Sequence, residues 1–99
     1  MNIVEQNLSG VSELCKLHNV KDMYLFGSVL TEQFSSDSDV DFLVNFKPID
    51  LFQYFENYIG LKEKLEYLLK RPVDLLEEQT IQNPVLRRSI DRNKKLIYG

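Results

Sequence analysis

Positions 4, 8, 11, 14, 15 and 18 (Val4, Leu8, Val11, Leu14, Cys15 and His18) recur at three- and four-residue intervals. That is the period of one helix face, and it predicts an amphipathic helix over 3–18. Ser9-Gly10 interrupts its middle, and Asn19 is suited to stop it. The run MYLFG (23–27) predicts a short buried strand ending at a glycine. VDFLVNF (40–46) predicts a second strand, closed by Lys47-Pro48. Asp50, with Gln53 three residues on, has the form of a capping box. It opens a helical stretch over 51–70, in which Gly60 is a candidate kink. Arg71-Pro72 stops that helix, and PVDLLE (72–77) predicts a third strand. Asn83 followed by Pro84 pairs an N-cap with a first-turn residue for a last helix over 84–92. KKLIY (94–98) adds a short final strand. The order α-β-β-α-β-α-β predicts an α/β (α+β) fold, a small mixed sheet of about four strands flanked by helices. The 99 residues are expected to form a single domain, 1–99.

Charge and cysteine usage narrow the function classes. A net charge of -3 and a pI of about 5.1 argue against general nucleic-acid or anionic-membrane binding. The single cysteine, Cys15, excludes an internal disulfide, and the single histidine, His18, excludes a His-rich zinc site. No apolar run approaches membrane-spanning length, and MNIVEQN is too polar for a signal peptide. The expected setting is a reducing cytoplasm.

Against this background one stretch stands out. In YLFGSVLTEQFSSDSDVDFLV (24–44) an apolar run meets Gly27-Ser28, and a ten-residue spacer leads to Asp39 and Asp41 at the head of the second strand. Side chains two apart on a strand share a face. Asp39 and Asp41 therefore project together, and Val40, Phe42 and Val44 face the other way into apolar packing. Adjacent carboxylates raise one another's pKa, and a divalent cation removes the conflict. Mg²⁺ is commonly held by one or two carboxylates plus substrate phosphates, as in two-metal phosphoryl or nucleotidyl transfer. Asp74, on the third strand, supplies another carboxylate if that strand pairs beside the second. A glycine after a strand lets backbone approach a ligand closely, and a short helix opening there aims N–H groups at phosphate. No Gly-Lys-Ser/Thr follows, so this is not a Walker-type loop.

Plainer readings compete. Asp37, Asp39 and Asp41 match the start of an EF-hand loop, but Phe42 stands where that loop needs glycine and Pro48 where it needs the bidentate glutamate. The EF-hand reading fails. SSDSD also reads as a solvated turn with Asp41 as an edge-strand charge, and Gly27-Ser28 as a plain turn.

The Gly-Ser, ten-residue spacer and Asp-x-Asp of GSVLTEQFSSDSDVD resemble the signature of the DNA polymerase β-like nucleotidyltransferase superfamily. The chain length, the wording SDVDFLV and the later VDLL resemble its minimal nucleotidyltransferase (MNT) branch, antitoxins of HEPN/MNT toxin–antitoxin pairs. That resemblance implies the polymerase β-like fold, with Gly27 and Ser28 holding nucleotide phosphates. It implies that Asp39, Asp41 and Asp74 bind Mg²⁺, in two-ion form, with Asp74 also placed to deprotonate the acceptor. The reaction it implies is AMP transfer from ATP to a hydroxyl, a tyrosine of a partner HEPN-family toxin. Many relatives carry an arginine three residues after the motif serine, where this chain has Thr31. Lys47 and the basic C-terminal region are the candidates to replace its charge. Two other functions stay open: an antitoxin that acts by binding alone, and a transferase for a small molecule of the aminoglycoside type.

The remaining conspicuous residues have structural readings. His18 is expected to pack or cap and Cys15 to lie in the core. Tyr54, Phe55 and Tyr58 form a core stripe, whereas Phe52 and Tyr67 fall off it and offer a partner surface. RRSIDRNKK (87–95) reads as a solvated basic helix end or as a phosphate- or partner-binding patch.

Overall fold

The computed structural model describes residues 2–31, 35 and 38–99. The helices are α1 (Ile3–Gln6), α2 (Leu8–Leu17), α3 (Leu51–Leu69) and α4 (Pro84–Asn93), and the strands are β1 (Val20–Phe26), β2 (Val40–Phe46), β3 (Val73–Glu77) and β4 (Lys95–Tyr98). Short 3₁₀ turns follow β1 at Gly27–Leu30 and β3 at Glu78–Thr80. The four-stranded sheet has the order β3-β2-β1-β4. β1 is antiparallel to both β2 and β4, and β2 runs parallel to β3. The α3 crossover makes the parallel pair possible.

The expected first helix is divided. Asn7 adopts φ −115° and ψ 21° between α1 and α2, and its side-chain amide donates to the Ile3 carbonyl at 2.8 Å. A local side-chain bond has competed with helix continuation there. Asn19, at φ 60°, turns the chain out of α2 and straight into β1, which begins three residues earlier than its apolar run indicated. Asn45 amide to Asp22 carboxylate, at 2.7 Å, occupies the polar start of that strand. Capping at Asp50 and Asn83 is as the sequence indicates: Asp50 Oδ1 accepts from the Gln53 N–H, and Asn83 Oδ1 from those of Val85 and Leu86. The turn expected around SSDSD falls partly on Ser36 and Asp37, outside the described residues, so the part of that reading resting on Asp37 lies there too.

α3 is one unbroken helix through Gly60. Gly60 is instead a notch: a Cβ there would stand 2.9 Å from His18 Cε1. The imidazole fills this notch, 7% exposed, with its Nε2 unpartnered among the described residues. Burial, reinforced by the Lys64 charge, pushes the His18 pKa below its ordinary range.

One sheet face carries the core. Met23 and Leu25 of β1, Val40, Phe42 and Val44 of β2, and Val73 and Leu75 of β3 pack against Val4, Val11, Cys15, Leu61, Leu65 and Leu69. Burial pushes the Cys15 thiol up to about 12, so it behaves as an inert apolar group. α3 is tied to β3 by Tyr58, whose hydroxyl donates to the Leu75 carbonyl at 2.5 Å, and by Glu66, which accepts from the Val73 N–H at 3.0 Å. Phe55 departs from the expected core stripe. It is exposed together with Phe52 and Ile59, and only Tyr54 and Tyr58 turn inward. Tyr67 is exposed as expected. Among the described residues no helix is long and apolar enough to cross a membrane.

α4 crosses the opposite sheet face, anchored by buried Ile90. Arg87 pairs with Glu78 at 2.7 Å and with Asp91 at 3.2 Å. Lys94 reaches Asp91 at 3.0 Å and lies 4.4 Å from the centre of the Tyr24 ring.

Candidate active site

The opposite face of the sheet also carries the acidic residues. In the ladder, Phe26 lies opposite Asp41 across β1 and β2, and Asp41 is in register with Asp74 across β2 and β3. The next row, Leu25, Phe42 and Leu75, is core. Alternation of side chains therefore sets Asp41 and Asp74 side by side on the face away from it, with Asp39 two residues along. Parallel pairing of β3 to β2 begins with the Val40 N–H donating to the Pro72 carbonyl at 3.0 Å. Arg71 Nη1 donates to the Ser35 and Ser38 carbonyls at 2.6 and 3.3 Å, which pins the chain just before Asp39.

Electrostatics distinguish the three carboxylates. Asp41 is half-buried, whereas Asp39 and Asp74 are exposed. Burial, then the charges of Asp74 and Asp39, push the Asp41 pKa up to about 6. Among the described residues, no cationic side chain pairs with any of the three. An uncompensated, half-buried carboxylate beside two others fits an all-oxygen site for a hard divalent ion. The described residues do not gather three such ligands at ligating distance. Rotation of exposed Asp39 and Asp74 toward Asp41 is what a bound ion would require.

Gly27 closes the site from the β1 side. Its φ is +82°, and a Cβ would lie 2.2 Å from Asp41 Oδ2. Both facts require glycine: the backbone conformation is left-handed, and the carboxylate occupies the space. Ser28 is the second residue of the 3₁₀ turn, and its hydroxyl makes no hydrogen bond among the described residues. Its carbonyl accepts from the N–H and hydroxyl of Thr31, at 2.9 and 2.8 Å. Gly27, Ser28, Asp39, Asp41 and Asp74 thus converge from β1, β2 and β3.

Lys47 does not join them. It follows the far end of β2, six residues from Asp41, or about 20 Å at strand rise. The basic C-terminal cluster divides. Arg87 and Lys94 are engaged in the ion pairs above, and Lys95 pairs with Glu5 at 3.4 Å. Arg88 and Arg92 are exposed and form no ion pair among the described residues. They flank Ser89 and Asn93, which border a cleft of about 510 Å³ between α4 and the Gly27 turn. Sequence reading passed over this cleft. Its only trace is the spacing of Leu86, Ser89, Ile90 and Asn93 along one helix face.

A nucleotidyltransferase domain family matches residues 10–97, and the chain belongs to that family. A Methanocaldococcus jannaschii protein named "Putative protein adenylyltransferase" is 33% identical over 101 residues, covering 94% of this chain and 98% of that protein. The solved structure of a "putative minimal nucleotidyltransferase" superposes with a TM-score of 0.77 at 30% identity, covering 96% of this chain and 95% of that one. A chain of a toxin–antitoxin crystallised with AMP-PNP is similar at a TM-score of 0.71 and 25% identity, covering 94% of this chain and 73% of that one. The mixed four-stranded sheet expected from the sequence is therefore the minimal nucleotidyltransferase fold.

Proposed function

We propose that this nucleotidyltransferase moves AMP from Mg-ATP to a hydroxyl of a partner protein, a tyrosine of a HEPN-family toxin, and so acts as an antitoxin. The observation that carries the reading is the row Phe26–Asp41–Asp74, with Gly27 against the Asp41 carboxylate. The adenylyltransferase relative and the toxin–antitoxin neighbour support the choice of AMP and of a protein acceptor. Exposed Phe52, Phe55 and Ile59 on α3 provide apolar surface of the kind buried between proteins.

Asp39, Asp41 and Asp74 would hold Mg²⁺, two ions in the full site. When bound, Mg²⁺ supplies Lewis-acid stabilisation of the charge developing on the triphosphate oxygens. Gly27 and Ser28 hold the phosphates through close backbone approach and the serine hydroxyl. The acceptor oxygen forms a bond to the α-phosphorus in line with the departing pyrophosphate, whose bond to that phosphorus breaks. Asp74, exposed and in register with Asp41, would take the acceptor proton.

The test uses the purified chain, Mg²⁺, α-phosphate-labelled ATP and lysate of the source cells. A labelled protein band that is lost with Asp39→Asn is expected. Equal labelling with Asp39→Asn, or no label from any nucleotide, overturns catalysis. A second reading is binding without transfer, favoured by Thr31, whose side chain is committed to the turn where many relatives have an arginine. Toxin neutralisation that survives Asp39→Asn/Asp41→Asn would select it.

A further inference from the structure

We infer that the outward face of α3 is the contact between two copies of this chain, paired back to back with both acidic sites facing solution. Leu51, Phe52, Phe55 and Ile59 are each more than half exposed there, on a helix whose other side gives Leu61, Leu65 and Leu69 to the core. Each phenylalanine buries roughly 150–250 Å² when covered. Four such side chains supply the apolar centre of an interface of about 800 Å² per partner. An acceptor engaged in transfer leaves this face uncovered. Asp39, Asp41 and Asp74 lie on the opposite sheet face, and β2 runs from Asp41 away toward the first turn of α3. Phe52 and Phe55 are therefore behind the sheet and at its far end.

The face is complementary to itself. Beside the exposed stripe lies an apolar hollow of about 270 Å³, walled by Phe55 and Tyr58 of α3 and by Leu75 and Leu76 of β3. Polar groups around it are already spent: the Tyr58 hydroxyl donates to the Leu75 carbonyl, and the Thr80 hydroxyl to the Glu77 carbonyl at 2.8 Å. Glu66 likewise holds the Val73 N–H. These three bonds occupy the outer edge of β3, so an added strand finds no continuous ladder there. What the hollow accepts is an apolar side chain from a helix. Phe52, Phe55 and Ile59, at i, i+3 and i+7, have the anchor spacing of a helix laid in such a groove. Knob and hollow belong to one surface, which is the condition for a two-fold contact. Antiparallel pairing with the axis beside Phe55 sets Phe52 of each copy opposite Ile59 of the other.

Sedimentation equilibrium of the purified chain tests the pairing. The wild type should weigh about 23 kDa, twice the 11.6 kDa of one chain, and should revert to monomer on dilution. Phe52→Glu sets a carboxylate against Ile59 of the other copy and should give the single-chain mass at every concentration. Phe52 is 72% exposed, so the variant should keep the circular dichroism of the dilute wild type. Ile59→Glu repeats the test two turns along the helix. A wild type that stays monomeric up to roughly millimolar concentration, or a dimer that both variants leave intact, overturns the pairing. Transfer is read separately, by labelling with α-phosphate-labelled ATP. A monomer that transfers AMP removes the pairing alone, and a dimer that transfers nothing keeps the pairing and removes the transfer reading.

Discussion

The sheet face opposite the core carries two groups of acidic residues, and they are treated in opposite ways. At one end, Glu78 receives Arg87 at 2.7 Å and Lys94 at 3.9 Å, while Asn45 donates to both Glu78 and Asp22. Every negative charge there has a donor in the chain itself, and the result is a clamp holding α4 onto the sheet. At the other end, Asp39, Asp41 and Asp74 have no cationic partner among the described residues, and Asp41 is half-buried with its pKa at about 6. The same residue types, a few strand positions apart, serve as structure in one place and as an uncompensated site in the other. What separates them is the supply of cations. α4 and its C-cap bring Arg87 and Lys94 to the first group and, among the described residues, no cation reaches the second, a deficit that a divalent ion from solution would offset.

The largest contrast should appear in activity. Asp41→Asn is expected to lower nucleotidyl transfer by on the order of 10³-fold, the scale of several kcal/mol lost from metal-assisted charge stabilisation. Glu78→Gln, at the paired end, should leave transfer per folded molecule nearly unchanged. Labelled-AMP transfer assays on both variants measure this, and equal losses would erase the distinction.

Gly27→Ala comes next. The added methyl meets Asp41 Oδ2 and the residue must keep φ +82°. A loss of about 1–3 kcal/mol of stability is expected, together with a large loss of transfer. Urea denaturation reads the first, and wild-type stability in this variant would mean that the turn and carboxylate are not in contact.

Arg87→Ala tests the clamp. It leaves Glu78, 19% exposed at its side chain, with only the more distant Lys94 as cation. A cost of about 1 kcal/mol is expected, seen as a lowered midpoint of thermal unfolding.

The smallest effect has the more telling sign. The Asp41 carboxyl has a folded-state pKa of about 6, above its unfolded value of 3.8. Between those values the folded state binds more protons than the unfolded one, so this group's contribution makes stability fall as pH rises from about 4 to about 6. Without divalent ions at pH 7, Asp41→Asn should therefore stabilise the fold, by about 1 kcal/mol after allowance for solvent screening of a group that is only half-buried. At pH 3.5 the gain should nearly vanish, because both states are then largely protonated. Added Mg²⁺ should reverse the order by stabilising only the wild type. Thermal melts at the two pH values, with and without Mg²⁺, decide the matter.

Much of the fold was legible because its signals are local. β2, α3 and α4 begin where alternation, the Asp50 capping box and the Asn83-Pro84 pair indicate, and Asn19 ends α2 through its left-handed conformation. The errors arose where a local pattern met a competing contact. Asn7 bonds back to Ile3 and divides a helix whose apolar period runs on unbroken. Gly60 looks like a kink but is the notch for His18, 42 positions away in sequence.

For the candidate site, the sequence alone determined which residues to choose and that Asp39 and Asp41 share a strand face, because side-chain alternation is a property of one strand. It also placed a glycine next to a serine at a strand end. Only the tertiary structure decided that Asp74 stands in register with Asp41, that Gly27 rests on that carboxylate, and that Lys47 is excluded while α4 walls a cleft. Those relations depend on strand order and on a helix crossing the sheet. Both are set by the burial of residues far apart in the chain, and no short stretch of sequence encodes them.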